Sequence, residues 1–320
     1  MKILLVGYRA QDLYETGRHG RKATAGWLLA NDVVCHTLDV YHRHAIEKAH
    51  HLKAVCSPHL PAGPWDLVKF RTGPKLMSGE LALDLLQEIH LLAPAKFELE
   101  FDGRERDRNS LLAKVRDDPD RVRDFSAKWT ASVPGGPAIE LTSVPGCFCH
   151  RRPDDGGLAL AEVASRELKA ASAGGDSPLR LLDMGCGCGL VGLLVATALG
   201  PGRVGLVMVD SHARAVEAAT RNAAALGVPA ETILADNGTP ARMDGTFDVF
   251  CGNPPYYSDY RIADVFLETA RRALKPGGVC YTVVKNETGL RPVQLRYFPE
   301  AEVVRRRGYA VLKSVKPLSA

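Results

Sequence analysis

The 320-residue chain has no C-x-x-C pair, no long apolar run and no marked excess of one charge. The first absence argues against structural zinc. Its eight cysteines fall as Cys147/Cys149 and Cys186/Cys188 in C-x-C spacing, with Cys35, Cys56, Cys251 and Cys280 isolated, which suits reduced thiols packed as small hydrophobes. The second excludes a signal h-region or a membrane span: the run Ile3–Val6 stops at Gly7, so a cytoplasmic protein is expected. On the third count, 41 Lys and Arg face 37 Asp and Glu, a net charge of +4. The halves are alike, with 20 basic against 19 acidic residues in 1–150 and 21 against 18 in 151–320. With no basic domain or stripe, nucleic-acid binding is left to a local patch. At 46% hydrophobic and 24% charged residues, the chain is neither collagen-like nor disordered, and it is long enough for a substantial core and two domains.

The histidines His42, His44, His50 and His51 invite a metal reading, but no carboxylate or cysteine at ligand spacing completes a shell. A solvated helix face is expected, and no metal. Elsewhere the pattern is α/β, twice over. In the first half, strand-like runs at Ile3–Val6, Val33–Val40, Trp65–Phe70 and Lys96–Phe101 alternate with helical patterns at Ala23–Ala30 and Gly79–Leu92, and a charged helix plus loop follows over 104–123. Gly and Pro between Pro134 and Pro153 mark a linker. The pattern then restarts with strands at Leu179–Met184, Arg203–Val209, Thr232–Leu234, Phe247–Gly252, Val279–Val284 and Tyr309–Val315. Helices are expected between them, at Leu158–Ala171, Leu190–Leu199, Ala213–Leu226 and Ile262–Leu274. The fold class is α/β: two tandem Rossmann-like domains, 1–135 and 136–320, with parallel sheets flanked by helices.

Chemistry concentrates in the second half. Leu181-Leu182-Asp183-Met184-Gly185-Cys186-Gly187-Cys188-Gly189 is a strand running into a glycine-rich turn that opens a helix, where the backbone can approach a ligand closely. Asp210 ends the next strand, 21 residues beyond Gly189, where a carboxylate accepts ribose hydroxyls. A dinucleotide site would need G-x-G-x-x-G; here Gly185, Gly187 and Gly189 are spaced G-x-G-x-G after an acid. The arrangement resembles the class I S-adenosylmethionine-dependent methyltransferases. That resemblance implies a donor site in which Asp183 takes the ammonium, Gly185, Cys186, Gly187 and Gly189 line the loop, Asp210 and Ser211 hold the ribose, and Asp236 and Asn237 contact the adenine. Asp236 also reads as a turn initiator before Asn237-Gly238.

A second motif, Asn253-Pro254-Pro255-Tyr256, ends the Phe247–Gly252 strand. It resembles the catalytic loop of methyltransferases acting on amino groups conjugated to a π-system, namely adenine N6, guanine N2 or glutamine amide. Such a nitrogen is a weak nucleophile because its lone pair is delocalised. Acceptors for its N–H bonds, from the Asn253 side chain and the Pro254 carbonyl, favour the pyramidal transition state. The prolines fix φ, and Tyr256 can stack on the substrate.

Upstream, Pro145-Gly146-Cys147-Phe148 followed by Asp155-Gly156-Gly157 resembles the entry segment of ribosomal RNA guanine-N2 methyltransferases, which implies that Phe148 and Asp155 close over the donor. The first half resembles that family's degenerate repeat. It has neither a glycine-rich donor loop nor Asn-Pro-Pro. The expectation is a monomeric N-methyltransferase acting on guanine N2 in ribosomal RNA. Tyr257 and Tyr260 would stand at the rim, and Lys69, Arg71 and Lys75 would grip phosphates. The alternatives are methylation of adenine N6 or a protein glutamine, and an RNA assembly factor that binds the donor without catalysis.

Overall fold

Strands and helices alternate through the computed structural model, which describes residues 1–16, 22–116, 123–171, 177–255 and 260–318. They divide into two units, Met1–Ser126 with His212–Arg214, and Ala127–Ser211 with Ala215–Ala320.

The first unit runs β1 (Lys2–Val6), β2 (Tyr14–Thr16), β3 (Lys22–Thr24), α1 (Gly26–Leu29), β4 (Asp32–Thr37), α2 (Val40–His50), β5 (Lys53–Cys56), β6 (Leu67–Thr72), α3 (Gly79–Leu92), β7 (Phe97–Phe101) and α4 (Glu105–Arg116). Its five-stranded sheet is parallel throughout, in the order β5-β4-β1-β6-β7. Central β1 is apolar at Ile3, Leu4, Leu5 and Val6, all buried, as a parallel strand covered on both faces must be. Helix α3 starts where Ser78 Oγ accepts the Leu81 N–H at 3.2 Å, and it buries Leu81, Leu85, Leu86 and Ile89 along one stripe.

Three expectations for this unit are corrected. The helix over Ala23–Ala30 reduces to α1, because Lys22–Thr24 pairs antiparallel with Tyr14–Thr16 and the ladder outweighs local helix preference. The strand over Val33–Val40 ends at Thr37, because the Asp39 side chain accepts the Tyr41 N–H at 2.8 Å and caps α2, which takes Val40. The histidines do not form one solvated face. His50 is buried, bonded to Thr24 Oγ1 at 2.8 Å and to the Ala10 carbonyl at 2.7 Å.

The second unit runs β8 (Ala127–Ala131), β9 (Ile139–Ser143), α5 (Asp155–Ala171), β10 (Leu179–Met184), α6 (Leu190–Leu199), β11 (Val204–Asp210), α7 (Ala213–Ala225), β12 (Ala230–Leu234), β13 (Phe247–Gly252), α8 (Arg261–Ala273), β14 (Leu274–Val284), α9 (Glu287–Gln294), β15 (Glu302–Arg306) and β16 (Tyr309–Val315). The seven-stranded sheet has the order β12-β11-β10-β13-β14-β16-β15, parallel except where β16 runs against β14 and β15. Helix α6, Leu190 to Leu199, is apolar nearly all round and buried accordingly. The expected linker over 134–153 contains β9, paired with β8.

Strand β10 lies between β11 and β13, and the chain returns on one side through β11 and on the other through β13. That is a topological switch point, with a crevice outside the carboxyl ends of the two diverging strands. Numbered within each unit, the parallel strands follow the same order, 3-2-1-4-5, in both sheets.

Candidate functional site

The chain leaves β10 at Met184, paired with Val209 of β11 and Gly252 of β13, so residues 185–189, Asp210 and Asn253 emerge together at one sheet edge. Gly185, Gly187 and Gly189 all have positive φ, at 70°, 55° and 92°. Their surroundings differ. A Cβ on Gly185 would lie 2.7 Å from the Phe266 ring and one on Gly189 2.8 Å from Leu193 Cδ1, whereas one on Gly187 would meet nothing within 4 Å. The outer glycines let the loop pack, and the middle one presents bare backbone to open space, as a close-fitting ligand requires.

Two carboxylates hold this loop. Asp210 Oδ2 accepts the Gly187 N–H at 2.9 Å. Asp183 is 2% exposed, and its Oδ2 accepts the Gly192 N–H at 2.8 Å in the first turn of α6. Asp183, expected to take the donor's ammonium, thus also anchors the start of the helix. Burial pushes its pKa up to about 7, opposed by the Gly192 N–H and reinforced by the charge of Asp210. Cys186 and Cys188 are buried, and burial pushes the Cys188 thiol up to about 12. Ser211 follows β11, and Asp236 and Asn237 lie in the turn after β12, half-buried and exposed respectively.

Asn253 leaves β13 half-buried, followed by buried Pro254 and half-buried Pro255. Its Nδ2 donates to Asp154 Oδ2 at 2.7 Å. The same oxygen accepts the Gly157 N–H at 2.6 Å, which makes Asp154 the N-cap of α5 and starts that helix at Asp155 rather than at Leu158. Neighbouring Asp155, the acid singled out in the sequence, is exposed. Asp154 was not singled out in the sequence; the signal for it was an Asp three residues before Gly157, the N-cap position of a helix start. A second missed residue is Asn222 on α7, 3% exposed, whose amide bonds both backbone groups of Thr142 and the Cys188 carbonyl, each at 2.9 Å. It ties β9 to the glycine loop.

Phe148 is 71% exposed. Tyr260 begins α8 with its phenol against α9, where a Cβ on Gly289 would lie 1.8 Å from the hydroxyl. Tyr256 and Tyr257 lie outside the described residues. In the first unit Lys69 pairs with Glu98 and Glu100 at 3.3 and 3.6 Å, and Arg71 with Asp12 and Glu100 at 3.4 and 3.5 Å. Lys75 is exposed. Among the described residues no group of three or more His, Cys, Asp or Glu converges on a metal position, and no helix is long and apolar enough to cross a membrane.

The family model for the methyltransferase small domain matches residues 138–313. Ribosomal RNA large subunit methyltransferase G of Ectopseudomonas mendocina is 33% identical over 186 residues, 56% of this chain and 47% of that protein. Its counterpart in Pseudomonas aeruginosa PAO1 is 32% identical over 213 residues, 64% and 53% of the two chains. Ribosomal RNA small subunit methyltransferase C of Chromohalobacter salexigens is 34% identical over 156 residues, 48% and 43%. The matched part spans about half the length of these relatives. Among solved structures, the T. thermophilus 16S rRNA N2 methyltransferase RsmC, in complex with AdoMet and guanosine, superposes with a TM-score of 0.73 at 18% identity, covering 99% of this chain and 88% of that one. The chain shares that protein's α/β methyltransferase fold with its parallel sheet.

Proposed function

The chain belongs to the methyltransferase small domain family, and from that premise we propose that it transfers a methyl group from S-adenosylmethionine to the exocyclic N2 amine of a guanine in ribosomal RNA. The observation that carries this reading is the emergence of Asn253-Pro254 beside the glycine loop at the switch point, on adjacent strands β13 and β10. The bare face of Gly187 and the carboxylate of Asp210 at the end of β11 fit the donor. Bound there, the donor supplies an electrophilic methyl group.

The rest is work for the chain. Gly185 to Gly189 cradle the donor, Asp210 and Ser211 take the ribose, and Asp236 and Asn237 take the adenine. The Asn253 side-chain oxygen and the Pro254 carbonyl accept the two N–H bonds of the target amine, which localises its lone pair and aims it. A guanine in a duplex hides N2, so the base enters unpaired or flipped, with Tyr256 beneath it and Tyr257 at the rim. Phe148 and Asp155, on the segment leading into α5, are proposed to close over the donor.

Residues 1–135 are proposed to be a degenerate methyltransferase-like domain and residues 136–320 the catalytic one. The shared strand order supports this. Where β10 leads to the glycine loop, β1 leads to Gly7-Tyr8-Arg9; where β13 leads to Asn253-Pro254, β6 leads to Gly73-Pro74. A Cβ on Gly7 would lie 2.3 Å from the Arg71 carbonyl, so this edge has no opening like that at Gly187. The protein is proposed to act as a cytoplasmic monomer on ribosomal RNA or a ribosomal subunit. Incubation of the full chain with methyl-labelled donor, ribosomal RNA and ribosomal proteins tests the class of substrate. Label in RNA is expected; label in protein would favour the glutamine reading, and donor binding with no transfer the assembly-factor reading.

A further inference from the structure

We infer that Asp154 is a positioning residue for the reaction: its carboxylate holds the Asn253 amide with the nitrogen turned away from the substrate and the oxygen turned toward it. This rests on the proposed role of Asn253. An asparagine amide is nearly symmetric in shape, but only one of its two orientations presents an acceptor to a target amine. Nothing in the asparagine itself selects that orientation. Asp154 Oδ2 lies 2.7 Å from Nδ2. Were the amide rotated by half a turn, Oδ1 would face a carboxylate oxygen at that distance, two acceptors with no proton between them, and that rotamer is excluded.

The carboxylate is itself held in place. The Gly157 N–H donates to the same oxygen at 2.6 Å, the Leu158 N–H donates to the Asp154 carbonyl at 2.9 Å, and the Cys149 thiol lies 3.8 Å from Oδ1. One residue thus caps α5 and, 99 positions along the chain, sets the face that Asn253 shows. A Cβ on Gly157 would lie 3.3 Å from Oδ2 and one on Gly156 3.2 Å, so the two glycines after the acid leave room for its side chain to fold back over the helix end.

The two roles separate by side-chain length. Serine caps a helix as well as aspartate does but is too short to reach Asn253, whereas asparagine caps and reaches. Asp154→Ser and Asp154→Asn are therefore compared with wild type by unfolding, donor calorimetry, steady-state methyl transfer and the side-chain 15N–1H resonances of Asn253, identified by their loss in Asn253→Ala. Both variants are expected to keep the unfolding midpoint and the donor affinity. In Asp154→Ser the Asn253 amide resonances move and kcat falls by about 10²-fold with KM for the donor unchanged; in Asp154→Asn both largely return. Donor affinity falling in step with kcat would mean that Asp154 touches the donor and overturns the inference, as would unmoved resonances with unchanged kcat in Asp154→Ser. If wild type transfers no methyl group, the functional reading fails, while the resonances still report whether Asp154 orients Asn253.

Discussion

Among single residues, the three glycines of the loop divide by what surrounds them. Gly189→Ala forces a methyl group to within 2.8 Å of Leu193 at a positive φ and should destabilise the fold by about 2–4 kcal/mol in urea unfolding. Gly187→Ala meets no atom within 4 Å and bears only the left-handed backbone cost of about 1–2 kcal/mol, yet it fills the face proposed for the donor. Calorimetry should find Gly187→Ala folded and weak in donor binding. Asp183 gives a pH signature. Its pKa of about 7 lies above that of an unfolded carboxylate, so between about pH 4 and 7 the folded state holds a proton that the unfolded state has released. The stability it contributes is complete below pH 4 and lost as pH rises through 7, by up to about 4 kcal/mol. Asp183→Asn, which keeps an acceptor for Gly192, should flatten that decline; an equal decline in wild type and variant would show that Asp183 ionises normally. The glycines and Asp210 are legible in the sequence because their spacing alone brings them to one sheet edge. Of the two adjacent aspartates the sequence singled out Asp155; that Asp154 caps α5 and reaches Asn253 is set by the helix start, which spacing does not show.

At the level of elements, the apolar strands and helices of both sheets could be read from the sequence because their periodicity is set by burial on a parallel sheet. What escaped was set by pairing. Strand β9 sits among prolines and glycines and is specified by its ladder with β8. Strand β15, Glu302 to Arg306, carries three charged residues and lies at the sheet edge, where charge guards against further pairing and erases the alternation that would reveal a strand. Asn222 belongs here too, because it joins α7, β9 and the glycine loop through three hydrogen bonds. Asn222→Ala leaves the half-buried backbone groups of Thr142 and the buried carbonyl of Cys188 without this partner. It should lower stability by about 2–4 kcal/mol, with faster amide exchange at Thr142, whose N–H the Asn222 oxygen accepts. A variant as stable as wild type would remove Asn222 from the account.

For the whole molecule, the proposed substrate requires cations that can grip RNA phosphates. Lys69 and Arg71 already face Glu98, Glu100 and Asp12 within the first unit. At the carboxyl edge of the second unit's sheet, Lys285 follows β14 and Arg307 precedes β16, with Lys285 4.3 Å above the Tyr309 ring. Arg306 and Arg307 share one buried carboxylate, that of Glu162, so this pair of arginines carries one positive charge beyond its partner. In a salt titration of RNA binding, Lys285→Ala with Arg307→Ala should reduce the slope of log affinity against log salt by about 0.7–0.9 per residue, and Lys69→Ala with Arg71→Ala by less. The reverse order would move the RNA to the first unit. The central claim, guanine N2 as the target and Asn253 as the acceptor that activates it, is tested most directly by mass spectrometry of nucleosides from ribosomal RNA treated with labelled donor and either wild-type protein or Asn253→Ala. The account predicts N2-methylguanosine from wild type and about 10²–10³-fold less from the variant at unchanged donor affinity. Label in N6-methyladenosine, or undiminished N2-methylguanosine from Asn253→Ala, would contradict it.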